Sequence, residues 1–241
     1  MAYFCILLPE HFSPKILTQD IKREFSTSVC KSDDLHQIVS QPLCYLGKGS
    51  QAIAFASADG KYVLKFFLNE RFHTKLRIRR PFRKALAPRI RFDVLERYAK
   101  AFEEIKEEAG LIAIHLSANT TDLPSCTLQD PKGKYHLINL NRFSFIVQKR
   151  CDCIDKTFSK MSLEEKQKTL AALEILMQSL AKKGFYNLRD NFKDENFAIL
   201  DDKALMIDVG NVIFVDTQRQ HPEEEFQRVK TILQTWMKEK R

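Results

Sequence analysis

Apolar and polar positions change period several times along the chain, and each change predicts an element. Short apolar runs at residues 45–46, 52–58 and 62–68 are separated by a glycine-containing turn at 47–50 and by Asp59-Gly60, the pattern of three antiparallel strands in a row. Leu95, Tyr98, Phe102, Ile105 and Ala109 then recur at steps of three and four, predicting an amphipathic helix over 94–109 that stops at Gly110. Further strands are expected at 111–116, 127–128, 135–140 and 143–148, with a turn at 130–133. Ser162 and Glu165 form a capping box ahead of Leu170, Leu173, Leu176 or Met177, and Leu180, a helix closed by Lys182, Lys183 and Gly184. A β-hairpin follows Asn196, and a last helix opens at Pro222, with Glu223, Glu224 and Glu225 at its positive end and Phe226, Val229, Leu233 and Trp236 on one face. Residues 1–40 hold no sustained period beyond a short helix expected at 14–24. Strands and helices in this order give an α+β fold.

Composition narrows the class. With 241 residues, of which 44% are apolar, the chain has room for one large domain or two lobes with a core. The formal charge of +8 is uneven: residues 71–100 carry eleven Lys or Arg against Asp93 and Glu96 only. Such a stretch suits an anionic partner, whether an acidic protein, a phosphorylated substrate or a lipid head group, or it is a solvated insert. No RNA-binding motif or zinc-finger spacing accompanies it, which argues against nucleic acid. Six scattered cysteines without a CxxC pair point to reduced thiols in a cytoplasmic setting, and Cys151 and Cys153 form a lone CxC with a structural reading ahead of a metal-binding one. The run AYFCILL lacks a basic flank and is too short to span a bilayer, so neither a cleaved signal peptide nor a transmembrane segment is expected.

Two segments carry candidate chemistry. In residues 45–67, Gly47 and Gly49 with Ser50 let backbone amides approach a phosphate without an intervening Cβ, and Lys65 stands in the apolar run VLKFF, where an ammonium requires an anionic partner. An ordinary hairpin turn and a lysine on a solvent edge are the plain alternatives. In residues 187–211, Asn196 and Asp208 are hard oxygen donors of the kind Mg²⁺ takes beside a polyphosphate, whereas an Asp-Gly turn used for its geometry is the plain alternative.

Taken together, in this order, the two segments resemble the nucleotide site of the protein-kinase-like superfamily, here in a minimal, atypical, bacterial-type form. The resemblance covers residues 45 to about 216 and implies a two-lobed fold. Residues 1–40 would be a leader, 41–148 an antiparallel N-lobe with one helix and a basic insert at 71–91, and 149–241 a reduced, mainly helical C-lobe. It further implies ATP and Mg²⁺ as ligands. Gly47, Gly49 and Ser50 would cover the phosphates, and Lys65 would pair with them while held by Glu104, or second by Glu108. Gln148 and Lys149 would lie in the adenine-binding hinge, and Asn196 and Asp208 would bind metal.

Three departures from the family pattern shape the functional expectation. Ala52 replaces the third glycine and Val209 the phenylalanine of DFG. The catalytic base is either Asp190, six residues before Asn196, or is missing because Asn191 holds its place. Only 33 residues follow Asp208, too few for an activation segment and a peptide-binding platform. The expected function is ATP-dependent phosphoryl transfer to an acceptor hydroxyl oriented by Asp190. A pseudokinase serving as a nucleotide-binding or protein-interaction module is the alternative, and adenylyl transfer with an inverted nucleotide the third.

Overall fold

A computed structural model of the chain describes residues 12, 14, 17, 32–49, 51–68, 87–116, 123–187, 192–210, 212–215 and 221–240, with side chains omitted at 32–34, 87–93 and 187. The fold is α+β, and the chain divides into two compact units. Unit 1 comprises Met1–Leu95 and Leu111–Arg150; unit 2 comprises Glu96–Gly110 and Cys151–Arg241.

Unit 1 is built on a seven-stranded mixed sheet. Its strands are β1 (Leu43–Lys48), β2 (Ala52–Ser57), β3 (Tyr62–Phe67), β4 (Leu111–His115), β5 (Ser125–Gln129), β6 (Tyr135–Asn139) and β7 (Phe145–Lys149), in the spatial order β4-β7-β3-β2-β1-β5-β6. The three successive strands expected from the sequence form β1–β3, and only β1 and β5 run parallel. The β2–β3 turn closes where Asp59-Gly60 predicts it. Gly60 takes a φ of 75°, its N–H donates to the Ser57 carbonyl at 2.9 Å, and Asp59 Oδ1 accepts from the Ser57 hydroxyl at 2.6 Å.

β3 buries apolar side chains on both faces, Val63 and Phe67 beside Lys65 and Leu64 and Phe66 on the other. Leu64 and Phe66 are fully buried and pack with Phe55, Phe145 and Val147, the Phe55 and Phe66 rings meeting edge-on at 6.1 Å. Phe12, Leu17 and the helix α1 (Ser32–Val39), through Leu35, Ile38 and Val39, join the same core. Thus part of the segment expected to be a leader packs with the sheet. Of the helix expected at 14–24, only Pro14 and Leu17 are described, and residues 71–86 of the basic stretch lie outside the described residues.

Helix α2 (Ala87–Glu104) begins earlier and ends earlier than its apolar spacing predicts. The early end has a tertiary cause. The Glu108 carbonyl accepts the Met206 N–H at 2.8 Å, and its carboxylate bonds Ser179 at 2.8 Å and the Lys183 ammonium, which draws the chain out of the helix before Gly110 turns it at φ 60°.

In unit 2, α3 (Ile154–Thr157) precedes the long helix α4 (Leu163–Lys182), whose capping box is complete: Ser162 accepts from the Glu165 amide and Glu165 from the Ser162 amide. Leu173, Leu176, Met177 and Leu180 of α4 are buried as expected. The expected hairpin is β9 (Phe197–Leu200) and β10 (Lys203–Met206), turned by Asp201 and Asp202 with φ of 50° and 60°. A second pair joins β8 (Phe185–Asn187) to β11 (Val212–Phe214), and α5 (Pro222–Glu239) completes the unit with Val229, Leu233 and Trp236 buried. Among the described residues no helix is long and apolar enough to cross a membrane.

Among the described residues, the sheet core contains a buried base, His115. His115 is 2% exposed, donates from Nδ1 to the Phe143 carbonyl at 2.9 Å and stacks on Phe145. Burial depresses its pKa, against the opposing pull of the Phe143 carbonyl. The unfolded chain therefore takes up a proton near pH ~6.5 while the native site resists it, so His115 contributes stability above that pH that is lost as pH falls. Denaturant midpoints measured between about pH 7.5 and about pH 5 should fall more steeply in the wild type than in His115→Gln. Equal slopes would exclude this group as a source of acid sensitivity.

Candidate functional site

The residues singled out in unit 1 lie along three adjacent strands. Lys65, at the centre of β3, is half-buried and stands opposite Ala54 of β2 and Ile146 of β7. Cross-strand partners share a sheet face, so Ala52, Ala54 and Ala56 accompany Lys65 on the side away from Leu64 and Phe66. These small side chains leave the lysine stem room to extend along the sheet. Gln148, 2% exposed, pairs with Val63 and Leu111, and the exposed Lys149 pairs with Tyr62. The next amide, Arg150, donates to the Lys61 carbonyl at 2.8 Å.

The glycine turn joins β1 to β2. Gly47 remains within β1 beside a bulge at Leu46, and the Gly49 N–H donates to the Ala52 carbonyl at 2.8 Å. That amide closes the β1–β2 hairpin. Ser50 lies outside the described residues, as do Asp190 and Asn191.

The two helix carboxylates expected beside Lys65 make contacts within unit 2. Glu104 is exposed and its Oε1 accepts from Lys100 Nζ at 2.9 Å, an i,i+4 pair on the helix surface. Glu108 lies beyond the helix end and is held by Lys183 and Ser179. These contacts lower its pKa against the upward push of burial, the largest single influence.

Unit 2 brings Asn196 and Asp208 together. The β9–β10 hairpin pairs Phe197 with Met206, so the residues flanking it are neighbours, and the Ile207 N–H donates to the Asn196 carbonyl at 2.8 Å. Asn196, Asp208 and Glu225 are the polar residues lining a small pocket whose other walls are apolar, from Met177 and Leu180 of α4, Phe185, Phe197, Met206, Val212 and Val229. Asp208 Oδ1 accepts the Gly210 N–H at 2.8 Å, a local turn of the kind Asp favours.

Two α2 residues absent from the sequence-level selection complete this turn. Arg97 Nη1 donates to the Gly210 carbonyl at 2.6 Å. The buried Tyr98 hydroxyl donates to the Asp208 carboxylate and accepts from the Val209 N–H. A tyrosine on an apolar helix face was the available signal, since a buried hydroxyl must find a partner. The sequence could not name that partner.

The other flank of the pocket is fixed by aromatic packing. Phe192 and Phe197 stack at 4.8 Å, Trp236 of α5 packs on Phe192 and Phe158, and its Nε1 donates to Asp194 at 3.2 Å. Lys240 pairs with the same Asp194 oxygen at 2.9 Å.

No family model matches the chain, and no curated protein matches it. Among solved structures, one of WbdD matches with 14% identity and a TM-score of 0.40, covering 73% of this chain and 34% of WbdD. Another, of monomeric WbdD, matches with 16% identity and a TM-score of 0.40, covering 77% and 37%. The chain therefore spans little more than a third of the length of these neighbours.

Tyr98 has a measurable signature. Burial raises its pKa well above the ordinary value, with the Asp208 charge and the bond to it adding to the rise against the Val209 amide. The unfolded chain ionises this tyrosine near pH ~10 and the native chain does not, so its stabilisation is complete below that pH and is lost as pH rises above it. The drop in denaturant midpoint between about pH 9 and about pH 11 should be smaller in Tyr98→Phe than in the wild type. An equal drop would show that this hydroxyl is not protected in the native state.

Proposed function

We propose that this chain is an ATP-dependent phosphotransferase of an atypical, two-lobed, protein-kinase-like type. The observation that carries the reading is that Asn196 and Asp208, twelve residues apart in sequence, both line one pocket at the base of the β9–β10 hairpin, where the Ile207 N–H bonds the Asn196 carbonyl. The donor set suits Mg²⁺, which takes hard oxygen ligands and enters sites with few protein groups. An ionised carboxylate offers about four acceptor positions, and the Gly210 amide and Tyr98 hydroxyl occupy two on Asp208. The metal would neutralise charge on the phosphates.

In this reading Lys65 pairs with the α- and β-phosphates, and backbone groups at Gln148 and Lys149 hold the adenine. Gly47, Gly49 and Ser50 border the phosphates, and Asp190 orients the acceptor hydroxyl. The strand order β4-β7-β3-β2-β1, with Lys65 on the central strand, supports the assignment of unit 1. Arg97 and Lys100 are engaged within the chain, and the other cations of residues 71–100 would dock an anionic partner.

A second reading, nucleotide binding without transfer, is favoured by Gly49, whose amide is closed on Ala52 rather than open to a phosphate. Calorimetric titration with ATP in Mg²⁺, followed by measurement of ATP turnover, separates the two. The wild type should bind Mg·ATP, and Lys65→Met should weaken binding about 10- to 100-fold, the value of a charge-assisted hydrogen bond. Asp208→Asn should bind ATP with little response to Mg²⁺. Binding without turnover selects the second reading, and a folded wild type that binds no Mg·ATP removes both.

A further inference from the structure

Strand β6 ends the seven-stranded sheet of unit 1, so among the described residues no strand pairs with its outer row of backbone N–H and C=O groups. The opposite edge of the sheet is managed differently. β4 is buried along most of its length and meets β7 through a register shift between Leu111 and Ala113, a bulge of the kind that blunts an edge. β6 has neither device. It pairs with β5 over five residues without a shift, and residues 135–139 contain no Lys, Arg, Asp, Glu or Pro.

The open face of β6 is apolar at its centre. Tyr135 is 58% and Leu137 77% exposed, whereas Ile138, on the other face, is buried in the sheet core. Their cross-strand neighbours on β5 are Gln129 for Tyr135 and Thr127 for Leu137, and Ser125 stands opposite Asn139. This face of the hairpin is therefore an uncharged surface around Leu137, in a chain of which 29% of the residues are charged. His136, on the core side, pairs with Asp130 at 2.9 Å.

We propose that β6 is a homodimerisation edge, pairing antiparallel with β6 of a second copy of the chain about a two-fold axis at Leu137. An added strand must bring an unpaired edge of its own and must set no unpaired charge against this face. A second copy meets both conditions, because a two-fold contact presents the same surface from both sides. Pairing about residue 137 sets Leu137 against Leu137, Tyr135 against Asn139 and His136 against Ile138, so apolar meets apolar on the open face and no like charges are opposed. A strongly charged partner finds no counter-charge there. The contact is small, since five residues a side fall short of the roughly 1,200 Å² of a stable interface, and the dimer is weak, with a dissociation constant on the order of 0.1 mM. The formal charge of +8 on each copy adds a repulsion that salt screens.

The test is sedimentation equilibrium of the full chain from about 10 µM to about 1 mM in about 0.5 M salt, with thermal midpoints measured beside it. The wild type should pass from monomer to dimer over this range. Leu137→Lys and Leu137→Glu should each stay monomeric, because each sets like charges together at the axis, and an equimolar mixture of the two should dimerise again. Their midpoints should match the wild type, since this side chain is mostly exposed. Ile175→Lys, at a comparably exposed apolar position on α4, should dimerise as the wild type does. A wild type that stays monomeric overturns the proposal, as does a dimer that survives both Leu137 variants or that Ile175→Lys abolishes. A mixture that stays monomeric overturns the two-fold register. Should a charged variant lose its fold, Leu137→Thr takes its place, keeps the strand preference and should weaken dimerisation about 10-fold; unchanged dimerisation would overturn the proposal.

Discussion

Two consecutive amides at the exit of β10 determine how unit 2 is assembled. The Met206 N–H donates to Glu108 at the end of the α2 turn, and the Ile207 N–H donates to Asn196, both at 2.8 Å. Buried amides must be paired, so this short extended stretch cannot shift register without leaving both donors unsatisfied. Because neighbouring amides of a strand point to opposite sides, one residue step joins the helix to the strand and the next joins the strand to the 3-10 turn. The Asp208 turn follows at once, and its position relative to Asn196 and Tyr98 is a consequence.

Unit 1 depends on a different constraint. β3 is hydrogen-bonded on both sides, by β2 and β7, so its side chains must divide between two faces. One takes Leu64 and Phe66 into a core of aromatic rings, and the other takes Lys65 above the alanines of β2. A shift of one residue would place the lysine among Phe55 and Phe145 and move Phe66 to the other face. The hydrophobic core thereby fixes the lysine's face, whatever its function.

Residues distant in sequence hold the candidate site at several points. α5 binds the segment before Asn196 through Trp236 and Lys240 on Asp194, and α2 binds the segment after β10 through Arg97 and Tyr98. The hairpin between them is short, and its two-residue turn of Asp201 and Asp202 requires positive φ at both positions, which Asp tolerates better than most residues. Local turn chemistry brings the two ends of the hairpin together. The flanking helices then hold the side chains that project from those ends.

The sequence by itself determined the local elements, because each is written in a short-range signal. The capping box at Ser162, the turn at Asp59-Gly60, the apolar runs of β2 and β3 and the apolar face of α4 depend on residues within one or two turns of each other. Proximity of Asn196 to Asp208 was equally legible, since a hairpin must return the chain to its start. The tertiary structure decided what no local pattern holds. It ended α2 at Glu104 by drawing Glu108 toward Lys183, gave Glu104 to Lys100, closed the Gly49 amide on Ala52, and chose Asp208 as the partner of Tyr98. A buried polar group announces in the sequence that it needs a partner, but which one it meets depends on how segments about a hundred residues apart pack, and spacing along the chain does not contain that information.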